Sequence, residues 1–237
     1  FNGEVANNAT HYQDEGLFSA ETVDSYEIGF KGDMGDALTF EAAVFQQDYS
    51  DPQARIFVAF PLPGGGFITS NSLANLDAAT VQGAELSALW RPLDGFEIGG
   101  SVTALDTEIE QGADASGAAN AATFNGKPLP FASDLSATLH ARQEWTLSGD
   151  MRLSLEAAAK YQSEYFLDAE GRNDRRQGPV TLIDAAARLS LADGTELSLW
   201  GRNLTDEDYA LSGYGFIGYD TFRSMPATWG VSVRVER

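Results

Sequence analysis

The sequence contains no cysteine and only two histidines among its 237 residues. Without a thiol it forms no disulfide scaffold, no thiolate metal site and no cysteine nucleophile. Neither His11 nor His140 belongs to a His-Glu-x-x-His metal motif, and no Gly-rich phosphate loop opens a helix. The residues that enzymes usually employ are therefore scarce, and we predict that this protein is not an enzyme and uses no cofactor.

Basic residues are scarce as well, with 15 Lys and Arg against 35 Asp and Glu and a net charge of −20. Nucleic-acid binding needs a basic footprint, so this class of function is excluded. Acidic residues cluster in the predicted loops 106–114 and 168–174, where solvated charge is the ordinary interpretation. The alternative is a divalent cation, either structural or bridging to lipopolysaccharide, because hard cations take several oxygen ligands.

Long hydrophobic runs are missing, since no stretch approaches the roughly 18 to 20 apolar residues of a membrane-spanning helix. Short stretches instead alternate apolar and polar residues, as in 135–147, 151–162 and 229–236. In the last stretch Trp229, Val231, Val233 and Val235 share one face, opposite Gly230, Ser232, Arg234 and Glu236. Such two-sided strands with charges on the polar face are typical of a transmembrane barrel, because only a closed barrel pairs every strand within a bilayer.

Turn signals divide the chain into alternating short and long connections. The short ones lie at 33–36, 92–95, 148–150 and 192–194, and the long ones near 50–75, 107–130, 168–179 and 211–227. They separate about nine predicted strands: Thr22 to Lys31, Ala37 to Tyr49 with a possible continuation to Phe60, Ile68 or later to Trp90, Phe96 to Asp106, Ala132 to Leu147, Met151 to Phe166, Val180 to Leu191, Glu196 to Tyr209, and Thr228 to Arg237. We predict an all-β, antiparallel transmembrane β-barrel, of which about nine strands form only a part, because bacterial single-chain barrels use even strand numbers.

Five segments in order carry a family resemblance: Glu21 to Gly32, Ala43 to Asp51, Asn75 to Leu86, Gly126 to Pro130, and Gly201 to Tyr209. With them the chain resembles the C-terminal β-barrel part of a TonB-dependent outer-membrane receptor. The resemblance implies a barrel of about 22 strands with a plugged lumen, in the outer membrane of a Gram-negative bacterium. Residues 1–237 would form the C-terminal portion of this one barrel domain, without the plug domain and the upstream strands.

The resemblance also implies active import of a scarce nutrient, namely a metal-siderophore, a cobalamin-like cofactor or an oligosaccharide. Energy would come from the TonB complex through a missing N-terminal segment. The other implied partners are outer-membrane lipid, lipopolysaccharide and, as a possibility, a surface lipoprotein. Family members usually end on an aromatic residue, whereas this sequence stops at Arg237, so we expect further residues ending in an aromatic, which an intact mass or the gene sequence would reveal.

Ligand contacts are expected in the long loops, because loops on a rigid scaffold carry specificity. The aromatic candidates are Tyr165, Phe166, Tyr214, Phe216, Tyr219 and Phe222, and the cationic candidates are Arg172, Arg175 and Arg176. Within the last family segment, Gly201, Arg202, Asn203, Leu204, Asp206 and Tyr209 are expected to be structural and to close a strand end at the outer rim.

Two other classes of function remain open at this stage. A passive porin or an autotransporter-type barrel would share the strand pattern and lack the plug and the TonB segment. A soluble all-β carbohydrate-binding module would not need detergent, although about nine strands with two exposed sheet edges would invite aggregation.

Overall fold

The computed structural model describes residues 19–61, 65–110, 124–214 and 219–235. Its strands are β1 (Thr22–Met34), β2 (Leu38–Ser50), β3 (Gln53–Pro61), β4 (Phe67–Asn75), β5 (Ala78–Leu93), β6 (Phe96–Glu110), β7 (Leu135–Thr146), β8 (Arg152–Gln162), β9 (Tyr165–Phe166), β10 (Arg176–Gln177), β11 (Val180–Ser190), β12 (Thr195–Arg202), β13 (Ala210–Tyr214), β14 (Asp220–Arg223) and β15 (Thr228–Val235). Short 3₁₀ turns occupy Ser148–Asp150 and Asn173–Arg175. Among the described residues, no helix has the length and apolar character needed to cross a membrane.

Nine strands form a single antiparallel sheet in the order β1-β2-β5-β6-β7-β8-β11-β12-β15. This meander confirms the predicted all-β antiparallel fold. Short connections join β1 to β2, β5 to β6, β7 to β8 and β11 to β12, so all four lie at one end of the sheet. The long connections lie at the opposite end, which we call the outer end.

The strand register places apolar side chains on one continuous face. One row across the sheet runs through Trp145, Leu153, Leu189, Leu197 and Val233, each directly opposite the next. Elsewhere on the same face, Ile28 of β1 is 78% exposed and Trp229 of β15 is 77% exposed. Large apolar side chains so exposed require an apolar medium, because water would penalise a patch of this size.

The opposite face carries ion pairs between side chains of neighbouring strands. Arg91 Nε lies 2.8 Å from Glu97 Oε2, and Glu97 stands opposite Arg142 in the register. Arg142 Nε lies 3.6 Å from Glu156 Oε1, which also contacts Arg188. Charges on this face and apolar residues on the other reproduce the two-sided strands that the sequence predicts.

Several strand boundaries differ from the prediction. The strand predicted from Met151 to Phe166 ends at Gln162, and Tyr165–Phe166 forms β9, which pairs with β10 outside the main sheet. The possible continuation to Phe60 is a separate strand, β3, which pairs with β4 as a hairpin outside the main sheet. The strand predicted to start at Ile68 or later is divided, because the chain turns at Leu76 and Asp77 before β5 begins. The strand predicted to reach Tyr209 ends at Arg202, because Asn203 adopts a left-handed φ of 50° that breaks the extended backbone.

Gly83 on β5 provides a test of the packing on the charged face. A Cβ at this position would lie 2.6 Å from the carbonyl oxygen of Ala104 and 2.8 Å from Cζ of Phe45. Since backbone cannot move away as a side-chain tip can, we expect Gly83→Ala to lower the free energy of unfolding by about 1 to 3 kcal/mol.

The matched control is Gly29→Ala on β1, where the nearest atom would be 3.5 Å away. Urea unfolding of the two full-length variants in lipid vesicles measures the difference. Equal stability of the two variants would contradict the close packing described around Gly83.

Candidate functional site

The outer end of the sheet holds the buried apolar side chains of the described chain. One cluster contains Leu76, Ile109, Phe124 and Ala169, and a second contains Tyr165, Leu167 and Ala210. These residues come from the ends of strands and from the long connections between them. The loops therefore form a packed layer above the sheet, and this layer is the candidate ligand-binding region.

The segment from Gly201 to Tyr209 contains the end of β12 and the connection to β13, and Asn203 makes most of its side-chain hydrogen bonds. The Asn203 amide Nδ2 donates to the carbonyl oxygens of Glu207 and Met225, each at 3.0 Å. Its Oδ1 accepts from the Glu207 amide at 2.9 Å, and its own backbone amide donates to Asp184 Oδ1 at 2.8 Å. One side chain thus joins the end of β12 to the chain that leads into β15.

The other members of this segment reinforce the same junction. A Cβ at Gly201 would lie 2.6 Å from Leu204 Cδ2, so glycine makes room for Leu204. Asp206 Oδ1 accepts from the Ala227 amide at 2.8 Å, and the Tyr209 amide donates to Ser224 Oγ at 3.2 Å. Arg202 instead stacks over the Trp200 ring at 5.7 Å on the charged face. These contacts fit a structural role at the outer rim.

Arg175 is the most deeply placed cation of the loops, with 7% of its side chain exposed. Its Nη1 donates to Asp168 Oδ2 at 2.8 Å and to Glu170 Oε2 at 3.0 Å. Its guanidinium also lies over the Tyr219 ring, 4.8 Å from the centroid. Among the residues that the structure describes, the Nε of Arg175 and the hydroxyl of Tyr219 have no hydrogen-bond partner.

The remaining loop arginines are exposed and each faces a carboxylate. Arg172 Nη2 lies 2.8 Å from Asp174 Oδ2, which lowers the pKa of that carboxyl chiefly through the hydrogen bond. Arg176 pairs with Glu164 at 2.9 Å. Arg223 pairs with Asp208 at 2.7 Å and likewise lowers the pKa of Asp208. The loop arginines named as candidates therefore do not present a cluster of unpaired positive charge.

The aromatic candidates fall into different environments. Tyr165 is buried, its hydroxyl donates to the Ala210 carbonyl at 3.2 Å, and burial raises its pKa. Phe166 is half-buried. Tyr219 is also half-buried, and its burial raises its pKa. Phe222 is 67% exposed. The side chain of Tyr214 and the whole of Phe216 lie outside the described residues, as does Arg237.

Three residues of this layer were absent from the sequence-based ligand candidates. Phe131 is 49% exposed and its ring centroid lies 6.0 Å from that of Tyr165. Asp168 and Glu170 were considered in the sequence only as members of the acidic cluster 168–174, whereas in the structure they pair with Arg175. The positions of Asp168 and Glu170 in the sequence do not indicate which of the loop arginines they contact. Within the described ranges, no group of three or more His, Asp or Glu is arranged to hold a metal ion.

The charged face also forms an open groove of about 520 Å³ near the middle of the sheet. Its lining includes His140, Arg142, Glu156, Asp184 and Arg188, contributed by successive strands. The full lining comes from six neighbouring strands, β6, β7, β8, β11, β12 and β15, which indicates that this face is concave. The apolar face is therefore the convex outer surface, as in a barrel whose exterior meets lipid and whose lumen is polar.

Long antiparallel strands with a convex apolar face, a concave charged face and loops at one end are the wall of a transmembrane β-barrel. The chain belongs to the TonB-dependent receptor β-barrel family, because the family described as "TonB dependent receptor-like, beta-barrel" matches residues 1–204. Members of this family are transport proteins of the Gram-negative outer membrane and are not enzymes. The predicted family, location and absence of enzymatic function are confirmed.

Solved structures share this fold at low sequence identity. The ferric yersiniabactin uptake receptor FyuA from Yersinia pestis matches 92% of this chain with a TM-score of 0.74 and 21% identity, over 30% of its own length. The siderophore receptor PiuA from Acinetobacter baumannii matches 89% with a TM-score of 0.68 and 22% identity, over 28% of its length. The ferric-catecholate import receptor Fiu from K12 E. coli matches 91% with a TM-score of 0.65 and 20% identity, over 27% of its length.

The chain thus spans less than a third of the length of these structures. No curated protein sequence matches it.

Proposed function

We propose that this chain is the C-terminal wall of an outer-membrane receptor that imports a scarce nutrient with energy from the TonB complex. The observation that carries the proposal is the two-faced, nine-stranded sheet with long loops at one end, in a chain that belongs to the TonB-dependent receptor family. The plug domain, the upstream strands and the segment that contacts TonB are proposed to lie in the rest of the receptor.

The proposed ligand is a metal chelate of the siderophore type. Support comes from structures of the same fold, whose names describe receptors for ferric yersiniabactin and for ferric catecholates. Cobalamin-like cofactors and oligosaccharides are the other ligand classes that the family implies. Lipopolysaccharide around the convex face and a surface lipoprotein above the loops belong to the same proposal.

The loop chemistry favours one mode of recognition. Because Arg172 and Arg223 are each paired with a carboxylate, an anionic chelate would have to displace a partner before binding either guanidinium. Exposed aromatic rings such as Phe131 and Phe222 are available without that cost. We therefore propose that aromatic contacts dominate, with Phe166, Arg172, Tyr214 and Phe216 as further contacts, and that Tyr165, Arg175 and Tyr219 act by positioning the loops.

Uptake by whole cells tests the proposal. Cells that lack the receptor gene are compared with complemented cells for accumulation of radiolabelled ferric chelates, cobalamin and linear oligosaccharides. We expect accumulation of one ligand class that requires both the receptor and TonB. Accumulation that persists at the same rate in a TonB deletion strain would instead establish a passive porin.

Within the same assay, Phe222→Ala is expected to lower the apparent affinity for the transported ligand. The matched control is Leu211→Ala, since Leu211 is a comparably exposed apolar residue of the same loop, at 52%. Equal affinity in both variants and in the unmodified receptor would remove Phe222 from the proposed contacts without affecting the import function.

A further inference from the structure

The loops that follow β8 and β12 are joined by buried contacts rather than lying side by side. Tyr165 and Leu167 of the first loop share a buried cluster with Ala210 of the second, and Tyr219 packs against the same cluster. The Ala210 amide also donates to Gln177 Oε1 at 2.7 Å. We call residues 165–177, 209–214 and 219–224 the outer cap.

The first loop of the outer cap is itself fixed from the other side. Its Ala169 belongs to the other buried cluster, with Leu76 and Ile109 near the strand ends of β5 and β6. The Phe131 amide donates to the Phe166 carbonyl at 2.8 Å, which adds the loop before β7. Apolar burial and paired backbone groups both oppose separation of these loops, because opening would expose the apolar surface and leave polar groups to be resolvated.

Arg175 is the charged link between the two loops. Its partners Asp168 and Glu170 belong to its own loop, whereas the ring it covers, Tyr219, belongs to the other. Asp174 is the other acidic residue of this loop whose charge raises the pKa of Tyr219. It is bonded to Arg172 at the surface. A guanidinium that is nearly buried, bonded to two carboxylates and stacked on a ring has little freedom to turn toward a ligand.

Tyr219 reaches this position across a glycine. A Cβ at Gly213 would collide with the Tyr219 ring and hydroxyl, so any other residue at 213 would push the ring away. The ring therefore contacts Gly213 of its own loop and lies under the guanidinium of Arg175 from the other loop. Its place depends on residues of both loops.

We propose that the outer cap moves as one body and that Arg175 is the positioning residue that couples its two loops. A ligand that enters past this part of the receptor then meets a preformed surface, and any opening displaces both loops together. The coupling itself does not depend on the nutrient-import proposal, since it is a property of the unliganded receptor. Its consequence for ligand entry does rest on that proposal.

Hydrogen–deuterium exchange of the full-length, ligand-free receptor in detergent tests the coupling. Breaking a mostly buried ion pair in Arg175→Gln is expected to raise amide exchange by about 100-fold in 165–177 and also in 209–214 and 219–224. The matched control Arg172→Gln removes an exposed pair of the same loop and is expected to raise exchange by less than about fivefold. Heat-modifiable migration on gels verifies that each barrel has assembled.

A second variant approaches the same contact from the other loop. Tyr219→Leu keeps an apolar side chain and removes the stacked ring, so exchange is expected to rise in 165–177, although the substitution lies in the other loop. Arg175→Lys retains the charge without the planar fork and should restore only part of the protection. Exchange that rises only in the substituted loop, in either variant, would overturn the proposal, whether or not the receptor is found to import a nutrient.

Discussion

Ala157→Arg is expected to destabilise the barrel by about 2 to 4 kcal/mol, because a cation on the lipid-facing surface near the bilayer midplane loses its hydration. Ala157 lies at the centre of β8 on the convex apolar face, opposite Ala141 on one neighbouring strand and Ala185 on the other. Its side chain is exposed, so the arginine meets lipid rather than protein. Urea unfolding of the full-length receptor in lipid vesicles gives the free energy directly.

The adjacent residue, Ala158, provides a closely matched control. Ala158 is the same residue type on the same strand, is equally exposed, and stands opposite His140 and Asp184 on the concave face. Ala158→Arg is expected to change stability by less than about 1 kcal/mol, since lumen-facing substitutions escape the lipid penalty. If both variants unfold at the same urea concentration, the assignment of the two faces is wrong.

Asn203→Ala should produce the second large effect, a loss of about 2 to 4 kcal/mol, because it removes three hydrogen bonds to partly buried backbone groups of this junction. The groups affected are the carbonyls of Glu207 and Met225 and the amide of Glu207. Alanine also disfavours the left-handed φ of 50° that Asn203 adopts. Unfolding of the full-length receptor in vesicles measures the loss.

Two further substitutions at position 203 separate these causes. Asn203→Gly accepts the left-handed backbone but lacks the side chain, so it isolates the hydrogen bonds. Asn203→Asp retains the acceptor and loses both donated bonds, so an intermediate loss is expected. A glycine variant as stable as the unmodified receptor would show that backbone conformation alone, and not the junction to Met225, explains the effect.

The strands could be predicted from sequence because every second residue of a strand faces lipid and is therefore apolar. Alternation at Trp229, Val231, Val233 and Val235 gave the orientation of β15, and those side chains are indeed 61% to 77% exposed on the convex face. The hairpin of β3 and β4 could not be separated from the main sheet, because it too consists of apolar and polar residues that favour extended chain. Its boundary depends on a turn at Leu76, whose burial comes from distant loops.

The loop layer was less accessible to prediction for a physical reason. Between 164 and 176 the sequence holds three arginines and four acidic residues, and composition alone does not distinguish the buried Arg175 from the exposed Arg172. The difference arises from tertiary contacts, because Tyr219 packs over the Arg175 guanidinium and two carboxylates pair with it. The motif around Asn203 was identified as structural from the family resemblance, but its bond to Met225 spans 22 residues and is invisible in any local pattern.

All nine buried hydrophobic side chains of the described residues lie toward the outer end, whereas the strands turn their apolar face outward. The loop layer and the sheet are therefore stabilised by different thermodynamic contributions. Melting of the loop layer transfers apolar surface into water and raises the heat capacity. The sheet keeps its apolar face against lipid or detergent, so its unfolding contributes mainly the enthalpy of backbone hydrogen bonds. A calorimeter would thus distinguish the loops from the sheet by the shape of the baseline as well as by the temperature of each transition.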